Sequence, residues 1–251
     1  MLPKEFKPKA SYELIRLGKD NDGGYLVELN SIKQSKSLIA MGMGRDCSFE
    51  NDFMTIQNSI IHAYDYTVTP VFWLKYFIRR ILAIFIGRIY EPYQGLKNYF
   101  NYKSFFKDHA IFFKEKIGSG ENNTTSISDA FNRLSEEQFP VFLKIDIEGS
   151  EYEILEELIS LTQKISGMVI EFHQTDKKRD LIKSFIEDVD LELTHIHPNN
   201  NRVDANGDPL ALEMTFSRQP NKLSDTVTFP HSLDQINVPR KNEISLNFLT
   251  E

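Results

Sequence analysis

The stretch VFLKIDIEGSEYEIL, residues 141–155, determines how the rest of this chain is interpreted. Residues 141–145 have the composition of a buried strand, and three acids follow them: Asp146, Glu148 and Glu151. In an open α/β sheet, ligands bind at the carboxyl ends of the strands, so acids at this point are well placed for chemistry. If the extended conformation continues, its period of two puts Asp146 and Glu148 on the same side. The alternative for Glu148 and Glu151 is stabilisation at the positive end of the next helix, and we interpret Glu151 as the start of that helix.

The composition sets limits on the class of protein. With 251 residues, of which 41% are hydrophobic, the chain fits one α/β domain over residues 1–251. A formal net charge of −7 argues against a general affinity for nucleic acid or anionic lipid, because such binding uses a basic surface. The single cysteine, Cys47, excludes an intramolecular disulfide and a cysteine-based zinc site. With no apolar signal segment at the N-terminus, this predicts a cytoplasmic protein.

One apolar run, residues 71–90, has to be assigned either to a membrane span or to a helix of the folded domain. Four basic residues interrupt it, and its longest uncharged piece is 81–87, whereas a span needs about 20 apolar residues. We therefore expect no transmembrane segment. Residues at helical spacing predict a helix that packs on the core or forms a lid: Trp73, Phe77, Arg80, Ile81 and Ile84. Alternatively, the basic and aromatic face of an insertion at 71–106 contacts a membrane surface or a partner, including a second copy in a homo-oligomer.

Upstream, a strand, a glycine turn, a helix and a second strand follow one another as they do in nucleotide-binding sites. The predicted strand 37–41 ends in a turn with Gly42 and Gly44, and the predicted strand 60–64 ends at Asp65. Glycines let the backbone approach a ligand closely, and an acid at the next strand end holds ribose hydroxyls. The turn lacks the third glycine of the dinucleotide fingerprint, so a plain strand-to-helix turn is the alternative.

The two ends of the chain have different predicted roles. Residues 1–30 contain two short strands around a polar, glycine-rich turn, which predicts an N-terminal hairpin. Asp22 and Gly23 lie in that turn and are either simple turn residues or part of a cofactor site. Residues 220–251 are polar and irregular, which predicts a tail along the surface.

Two more predicted strands carry polar side chains near their ends. The strand 168–170 runs into Glu171 and His173, and a later strand carries His195 and His197 on one face. If these strand ends meet the first one at a single edge of the sheet, their side chains enter one pocket. Alternatively, the two histidines lie on a polar face of the strand that is half exposed to solvent.

Several segments together resemble the FkbM-type branch of the S-adenosylmethionine-dependent methyltransferases: LKIDIEGSEYEIL (143–155), AMGMGRDCSFENDF (40–53), MVIEFH (168–173), HIHPNN (195–200) and LEMTF (212–216). The leading RLGKDNDGGYLV (16–27) is similar to a segment of the branch associated with sugar modification. The resemblance runs from about residue 16 to about residue 218. Two features depart from the family pattern: Ala40 stands where the glycine turn usually has a leading acid, and 71–106 has no match.

The resemblance implies a Rossmann-like class I methyltransferase fold, an α/β fold with a seven-stranded, mostly parallel sheet and helices on both faces. Six strands would be parallel and one, near the C-terminus, antiparallel, with the N-terminal hairpin and the helical insertion added. It also implies S-adenosyl-L-methionine as the cofactor and a hydroxyl oxygen as the methyl acceptor. The expected cofactor residues are Asp22, Gly23, Gly42, Gly44 and Asp65.

Methyl transfer to a hydroxyl requires that the hydroxyl lose its proton or become more acidic. A carboxylate or histidine takes the proton, or a divalent cation lowers the pKa of the hydroxyl. We therefore predict four catalytic residues: Asp146, Glu148, His173 and His197. If Mg²⁺ or Mn²⁺ takes part, the predicted ligands are Asp146, Glu171 and His197.

The sequence thus predicts a methyltransferase that acts on a sugar hydroxyl, for example of a nucleotide-activated sugar in capsule or other surface-polysaccharide biosynthesis. Its substrate would be a small molecule, a nucleotide sugar or saccharide, and not a nucleic acid. A nicotinamide-dependent sugar oxidoreductase or epimerase is one alternative, weakened by the absence of G-x-G-x-x-G after a strand. The other is a non-catalytic binding module, which predicts a filled or closed pocket at the strand ends.

Overall fold

A seven-stranded sheet forms the centre of the molecule in the computed structural model, which describes residues 1–108, 110–120 and 124–249. The strands in this part of the chain are β1 (Ser11–Tyr12), β2 (Leu14–Leu17), β3 (Tyr25–Glu28), β4 (Ser37–Met41), β5 (Ile60–Tyr64), β6 (Ala110–Phe113), β7 (Lys116–Ile117), β8 (Thr124–Thr125), β9 (Val141–Ile145), β10 (Ile165–His173), β11 (Glu192–Pro198), β12 (Ala211–Ser217) and β13 (Lys222–Ser224). The order in the central sheet is β11-β12-β10-β9-β4-β5-β6. Only β12 runs antiparallel to its neighbours there, which confirms the predicted sheet.

Helices cover both faces of this sheet, as predicted. The α-helices among the described residues are α1 (Leu29–Gln34), α2 (Ser48–Ile56), α3 (Pro70–Leu82), α4 (Glu91–Asp108), α5 (Ile127–Phe131), α6 (Leu155–Ser160) and α7 (Thr175–Asp188). Short 3-10 helices occur at Lys4–Phe6, Ala83–Ile86, Glu136–Gln138, Glu151–Glu153 and Thr162–Lys164. Thr69 fixes the start of α3, because its side chain accepts a hydrogen bond from the Phe72 N–H and Pro70 occupies the first helical position.

Two hydrophobic cores lie on opposite faces of the sheet. Within β4, Ile39 and Met41 belong to one core, while Leu38 and Ala40 belong to the other. This alternation follows from the period of two in a strand, and strands that are buried on both faces are typical of parallel sheets. Helices α5, α6 and α7 pack on the first core, and α1 to α4 pack on the second. The sheet is therefore covered on both sides, and its strand ends remain available for a site.

The predicted N-terminal hairpin is formed by β2 and β3, which pair in antiparallel register from Leu14↔Glu28 to Leu17↔Tyr25. The hairpin packs against the sheet, since Thr215 on β12 donates its hydroxyl hydrogen to the Leu26 carbonyl (2.5 Å). The C-terminal segment is irregular after β13, in line with the predicted tail. Residues 250 and 251 of that tail lie outside the described residues.

The predicted helical insertion is a hairpin of α3 and α4. Its own small core is aromatic: the Trp73 ring centroid lies 5.0 Å from that of Tyr99 and 5.2 Å from that of Tyr102. The predicted core-facing stripe of α3 is only half correct. Trp73 is buried, but Ile81 in α3 and Ile84 in the following 3-10 helix are 53% and 43% exposed, although α4 continues beside α3 as far as Arg80, which faces Gly95.

Candidate active site

The ends of β4 and β9 are held together by the backbone. The Asp146 N–H donates to the Met41 carbonyl (3.1 Å), directly before the glycine turn. Gly42 has a φ of +74°, and a Cβ at this position would lie 1.6 Å from the Asp146 carbonyl oxygen. Only glycine therefore fits here, and the close approach puts Asp146 beside the turn.

Asp65, the acid at the end of β5, organises the loop around the same turn. The Gly44 N–H donates to Asp65 Oδ2 (2.7 Å). The backbone N–H and the hydroxyl of Thr67 donate to Asp65 Oδ1, at 2.7 and 2.6 Å. A carboxylate oxygen has two lone pairs, so Oδ2 retains the capacity to accept a ribose hydroxyl.

Two adjoining cavities share the glycine turn. Gly42, Gly44 and Asp146 line both of them, and so does Glu148. The smaller cavity, of about 220 Å³, extends to Asp65. The larger cavity, of about 550 Å³, is lined on its other sides by residues from the N-terminal hairpin and the insertion: Asp22, Gly23, Tyr25, Asn98, Asn101 and Tyr102. The structure thus brings all five predicted cofactor residues to the walls of these two cavities.

A cluster of two acids and a histidine lies beside the cavities, where β9 and β10 end. Asp146, Glu171 and His173 each offer a ligand atom within 4.8 Å of the others, so the three could hold a metal ion. His173 Nε2 lies 4.0 Å from Asp146 Oδ1 and 3.7 Å from Glu171 Oε1. His173 Nδ1 contacts the carboxylate of Glu151, which is fully buried. A histidine whose Nδ1 faces a carboxylate presents Nε2 in a fixed direction, which is the usual arrangement behind a metal-binding imidazole.

Two further polar side chains complete this cluster. The Tyr25 hydroxyl lies 3.2 Å from Asp146 Oδ2 and 3.2 Å from Glu171 Oε2, so the two acids share its hydrogen. The Asn199 side chain donates to Glu171 Oε1 (2.9 Å). These donors orient both carboxylates.

The protonation of the cluster is strongly shifted from ordinary values. Burial raises the pKa of Asp146 to about 6. Burial and the neighbouring Asp146 raise the pKa of Glu171 well above its ordinary range. Burial opposes a positive charge on His173, but the hydrogen-bonded Glu151 raises the pKa of His173 to about 9. The site thus concentrates acidic groups in a poorly solvated position, which a bound cation or proton would stabilise.

Comparison with known families identifies the chain. The sequence model described as "Methyltransferase FkbM domain" matches residues 12–208, which is most of the chain. The chain belongs to the FkbM methyltransferase family. It is accordingly a methyltransferase, and the family predicted from the sequence is confirmed.

The solved structures that match this FkbM-domain methyltransferase resemble it only weakly, both in sequence identity and in TM-score. An rRNA methylase from Streptococcus thermophilus matches 76% of this chain and 94% of its own, at 10% identity and a TM-score of 0.38. The METTL16 methyltransferase domain in its second crystal form matches 76% and 64%, at 11% identity and a TM-score of 0.43. TrmK of M. capricolum with S-adenosyl-homocysteine matches 80% and 71%, at 13% identity and a TM-score of 0.36. Likeness at this level says nothing about the substrate, and no curated protein matches the chain.

His197 of this FkbM-domain methyltransferase lies outside the acid and histidine cluster. Its Nδ1 lies 3.2 Å from Glu213 Oε2, and Glu213 also accepts a hydrogen bond from Asn237 (2.7 Å). In the sheet, β12 separates β11 from β10, so Glu213 stands between His197 and Glu171 in register. Of the two histidines, the structure thus places His173, and not His197, beside the predicted ligands Asp146 and Glu171.

Glu148 reaches the cluster by a different backbone path from the one predicted. Strand β9 ends at Ile145, and Glu148 has a φ of +55°, so the extended conformation does not continue. The Glu148 side chain is 86% exposed, yet its Oε2 lies 3.6 Å from His173 Nε2. Glu148 thus lies at the rim of the site, where it contacts solvent as well as His173.

Three residues at or near the candidate site are either not predicted from the sequence or are given too small a role by it. Glu151 does begin a short 3-10 helix, but it is also the buried partner of His173. Nothing in the local pattern around Tyr25 indicates that it reaches two acids from the N-terminal hairpin. A signal did exist for Lys144, a lone lysine in an apolar strand, which forms a buried ion pair with Glu50 (3.2 Å).

Proposed function

We propose that this methyltransferase uses S-adenosyl-L-methionine to methylate a sugar hydroxyl, on a saccharide or a nucleotide-activated sugar used for capsule or other surface polysaccharides. The observation that carries the proposal is the shared wall of the two cavities. One side chain, Asp146, lines both and belongs to the acid and histidine cluster. A methyl donor that extends from the smaller into the larger cavity and an acceptor hydroxyl in the larger cavity would therefore meet at Asp146.

The cofactor would lie across the glycine turn. The smaller cavity ends at Asp65, whose Oδ2 would accept a ribose hydroxyl, so the nucleoside would lie there. The backbone at Gly42 and Gly44 permits close approach, and the larger cavity would take the amino acid portion near Asp22 and Gly23.

The acceptor would be activated at the cluster. The hydroxyl oxygen would form the new bond to the methyl carbon as the carbon–sulfur bond breaks, and its proton would leave for a base. Asp146, with a pKa of about 6, is ionised at neutral pH and close enough to proton acceptance to serve as that base. His173 is less suited to this role, because its pKa of about 9 keeps it protonated.

A divalent cation fits the same donor set. Two carboxylates and an imidazole suit Mn²⁺, and the carboxylates also suit Mg²⁺; Asp146, Glu171 and His173 would hold the ion. When bound, such an ion lowers the pKa of a coordinated hydroxyl. Because it neutralises buried acids, it would also return His173 to its neutral, ligating form. Chelator should then abolish activity and Mn²⁺ or Mg²⁺ restore it, whereas full activity in chelator would assign the proton transfer to Asp146 alone.

A small anionic sugar substrate suits the walls of the larger cavity. Arg45 lines it and forms no ion pair among the described residues, so it is the basic partner offered to a phosphate group of a nucleotide sugar, whereas Lys19 is already paired with Asp46 (2.7 Å). A long nucleic acid is disfavoured, because the chain carries a net charge of −7 that repels a phosphate backbone. The cavities are open, which argues against the inert binding module considered from the sequence.

Calorimetry with S-adenosylhomocysteine tests the cofactor assignment directly. We expect binding by the folded protein, and loss of binding in Asp65→Ala; a protein that melts normally and binds no S-adenosylhomocysteine would exclude this function. A screen of nucleotide sugars and free saccharides with labelled cofactor then tests the acceptor. Methylation of RNA with no response to any saccharide would replace the sugar substrate.

A further inference from the structure

The helical insertion exposes an apolar stripe that the fold does not use. The stripe on α3 consists of side chains that recur every three or four positions and end in an adjacent pair, each between 48% and 59% exposed: Val71, Leu74, Ile78, Ile81 and Leu82. This spacing places them on one face of the helix. The opposite face carries Trp73 and Tyr76, which are buried within the insertion and against the second core. Helix α3 thus has two apolar faces, and only one contributes to folding.

The tip of the insertion continues the exposed apolar surface. Between α3 and α4, the most exposed large apolar side chains are Phe85 at 84%, Tyr90 at 75% and Ile86 at 71%. Soluble monomeric proteins rarely expose a contiguous apolar patch of more than a few hundred Å² without a function for it. An uncovered tip of this kind indicates that something else covers it.

The charge of the insertion is opposite to that of the rest of the chain. Residues 71–106 contain six lysine and arginine residues and one acid, whereas the whole chain has a net charge of −7. Lys75 and Arg79 each follow a stripe residue by one position and so flank the stripe along one edge; both are exposed. Among the described residues, no acid forms an ion pair with either. Long basic side chains beside an apolar helix face are suited to a lipid interface, where the stems stay in the apolar layer and the charges reach the headgroups.

We propose that the insertion docks this protein on the surface of an anionic membrane. The apolar stripe and tip would enter the interfacial layer, and the flanking basic side chains would contact anionic headgroups. No helix in the described part of the chain is long and apolar enough to span the bilayer, so the attachment would be peripheral. The overall acidity of the chain does not oppose this, because attraction to headgroups depends on charges within about 10 Å of the surface.

A second copy of the chain fits this surface less well. A two-fold interface would place the insertion of one copy against the same insertion of the other, and so bring two basic surfaces together. An anionic lipid surface has the complementary charge. The proposal also has a consequence for the site, because Asn98, Asn101 and Tyr102 on α4 line the larger cavity. A docked insertion would hold that cavity next to the lipid surface.

Co-sedimentation of the full chain with lipid vesicles tests this proposal. We expect binding to vesicles of about equal parts phosphatidylcholine and phosphatidylglycerol, weaker binding at high salt, and little binding to phosphatidylcholine alone. The double variant Phe85→Ser/Ile86→Ser should bind at least tenfold more weakly, because both side chains are exposed in the free protein. Lys75→Gln/Arg79→Gln should lower the affinity for these vesicles about 30-fold, because each substitution removes the attraction of one positive charge to the anionic headgroups.

Matched controls separate docking from general effects. Leu223→Ser removes an apolar side chain that is 67% exposed elsewhere, and Lys33→Gln/Lys177→Gln removes two exposed charges outside the insertion. Both should bind vesicles as the wild type does, and all variants should keep wild-type melting and S-adenosylhomocysteine binding. The proposal would be overturned if the protein bound both vesicle types equally or bound no vesicles at all. It would also be overturned if the insertion variants and the control variants lost the same amount of vesicle binding. Sedimentation velocity completes the test, since self-association that Phe85→Ser/Ile86→Ser abolishes, without vesicle binding, would make a second copy the occupant.

Discussion

His173 and His197 are both strand histidines whose Nδ1 faces a glutamate, yet their surroundings differ. The Nε2 of His173 points toward Asp146 and Glu171 beside two open cavities. His197 lies two strands away, buried against Glu213. A carboxylate partner therefore does not by itself place a histidine at the candidate site. What distinguishes His173 is the pair of acids around its second nitrogen, of which Asp146 lines both cavities.

The largest expected effect is at Asp146, the acid that gives the His173 cluster its chemistry. Asp146→Asn should lower methyl transfer by about a thousandfold, because both a general base and a metal ligand are lost. At neutral pH the variant should be at least as stable as the wild type, since burial raises the pKa of Asp146 and ionisation of this carboxyl lowers the free energy of unfolding. Initial rates with the acceptor found by screening, together with thermal melts, measure both. A variant with normal turnover would remove Asp146 from the mechanism.

Exchanging each histidine for glutamine tests the comparison directly. His173→Gln should weaken Mn²⁺ binding by about 10- to 100-fold, measured by calorimetry, because one proposed ligand is removed. His197→Gln should leave Mn²⁺ binding unchanged and instead lower the free energy of unfolding by about 2 kcal/mol, because Glu213 loses a buried partner. Equal Mn²⁺ affinities in the two variants would remove the distinction between the histidines.

Substitution of the glutamate beside each histidine should change Mn²⁺ affinity less than substitution of His173, and again differently at the two positions. Glu151→Gln keeps a hydrogen-bonding group beside His173 but removes the charge that raises its pKa. We expect about a tenfold loss of Mn²⁺ affinity, since the carboxylate orients the imidazole and raises its basicity. Glu213→Gln should change that affinity by less than about threefold, because it acts on His197 and only indirectly on Glu171. The same calorimetry suffices, and a larger loss in Glu213→Gln would reverse the assignment of the two pairs.

The last prediction concerns the pH dependence of stability in the absence of a divalent cation. The pKa of His173 is about 9 in the folded chain against an ordinary 6.5, so its stabilisation is complete below about pH 6.5 and is lost as pH rises through about 9. Ionisation of Asp146 above about pH 6 acts in the same direction. We expect the free energy of unfolding to fall by about 3 kcal/mol from pH 6 to pH 9 in urea titrations. His173→Gln should flatten this slope, and an unchanged slope would contradict the assignment.

Much of the fold could be predicted because it follows from local patterns. The strands 37–41, 60–64 and 141–145 were predicted with the bounds that the structure shows, since each is an apolar run that stops at a glycine or an acid. The exposure of the second half of α3 was not predicted, because helical spacing shows which side chains share a face but not what packs against that face. Ile81 matches the pattern as well as Trp73 does, yet Trp73 is buried against Tyr99 and Tyr102 of α4, whereas Ile81 is 53% exposed.

For the site, the sequence by itself determined which chemical groups stand at the strand ends: Asp146, Glu171 and His173, with glycines and Asp65 at the neighbouring ends. It could do so because strand ends in a parallel sheet meet at one edge. Only the tertiary structure decided which histidine joins the acids, and it brought Tyr25 and the buried Glu151 to them. Those choices depend on strand order and on the path of the chain after each strand. A period of two tells which face a side chain occupies, but not which strand lies next to it.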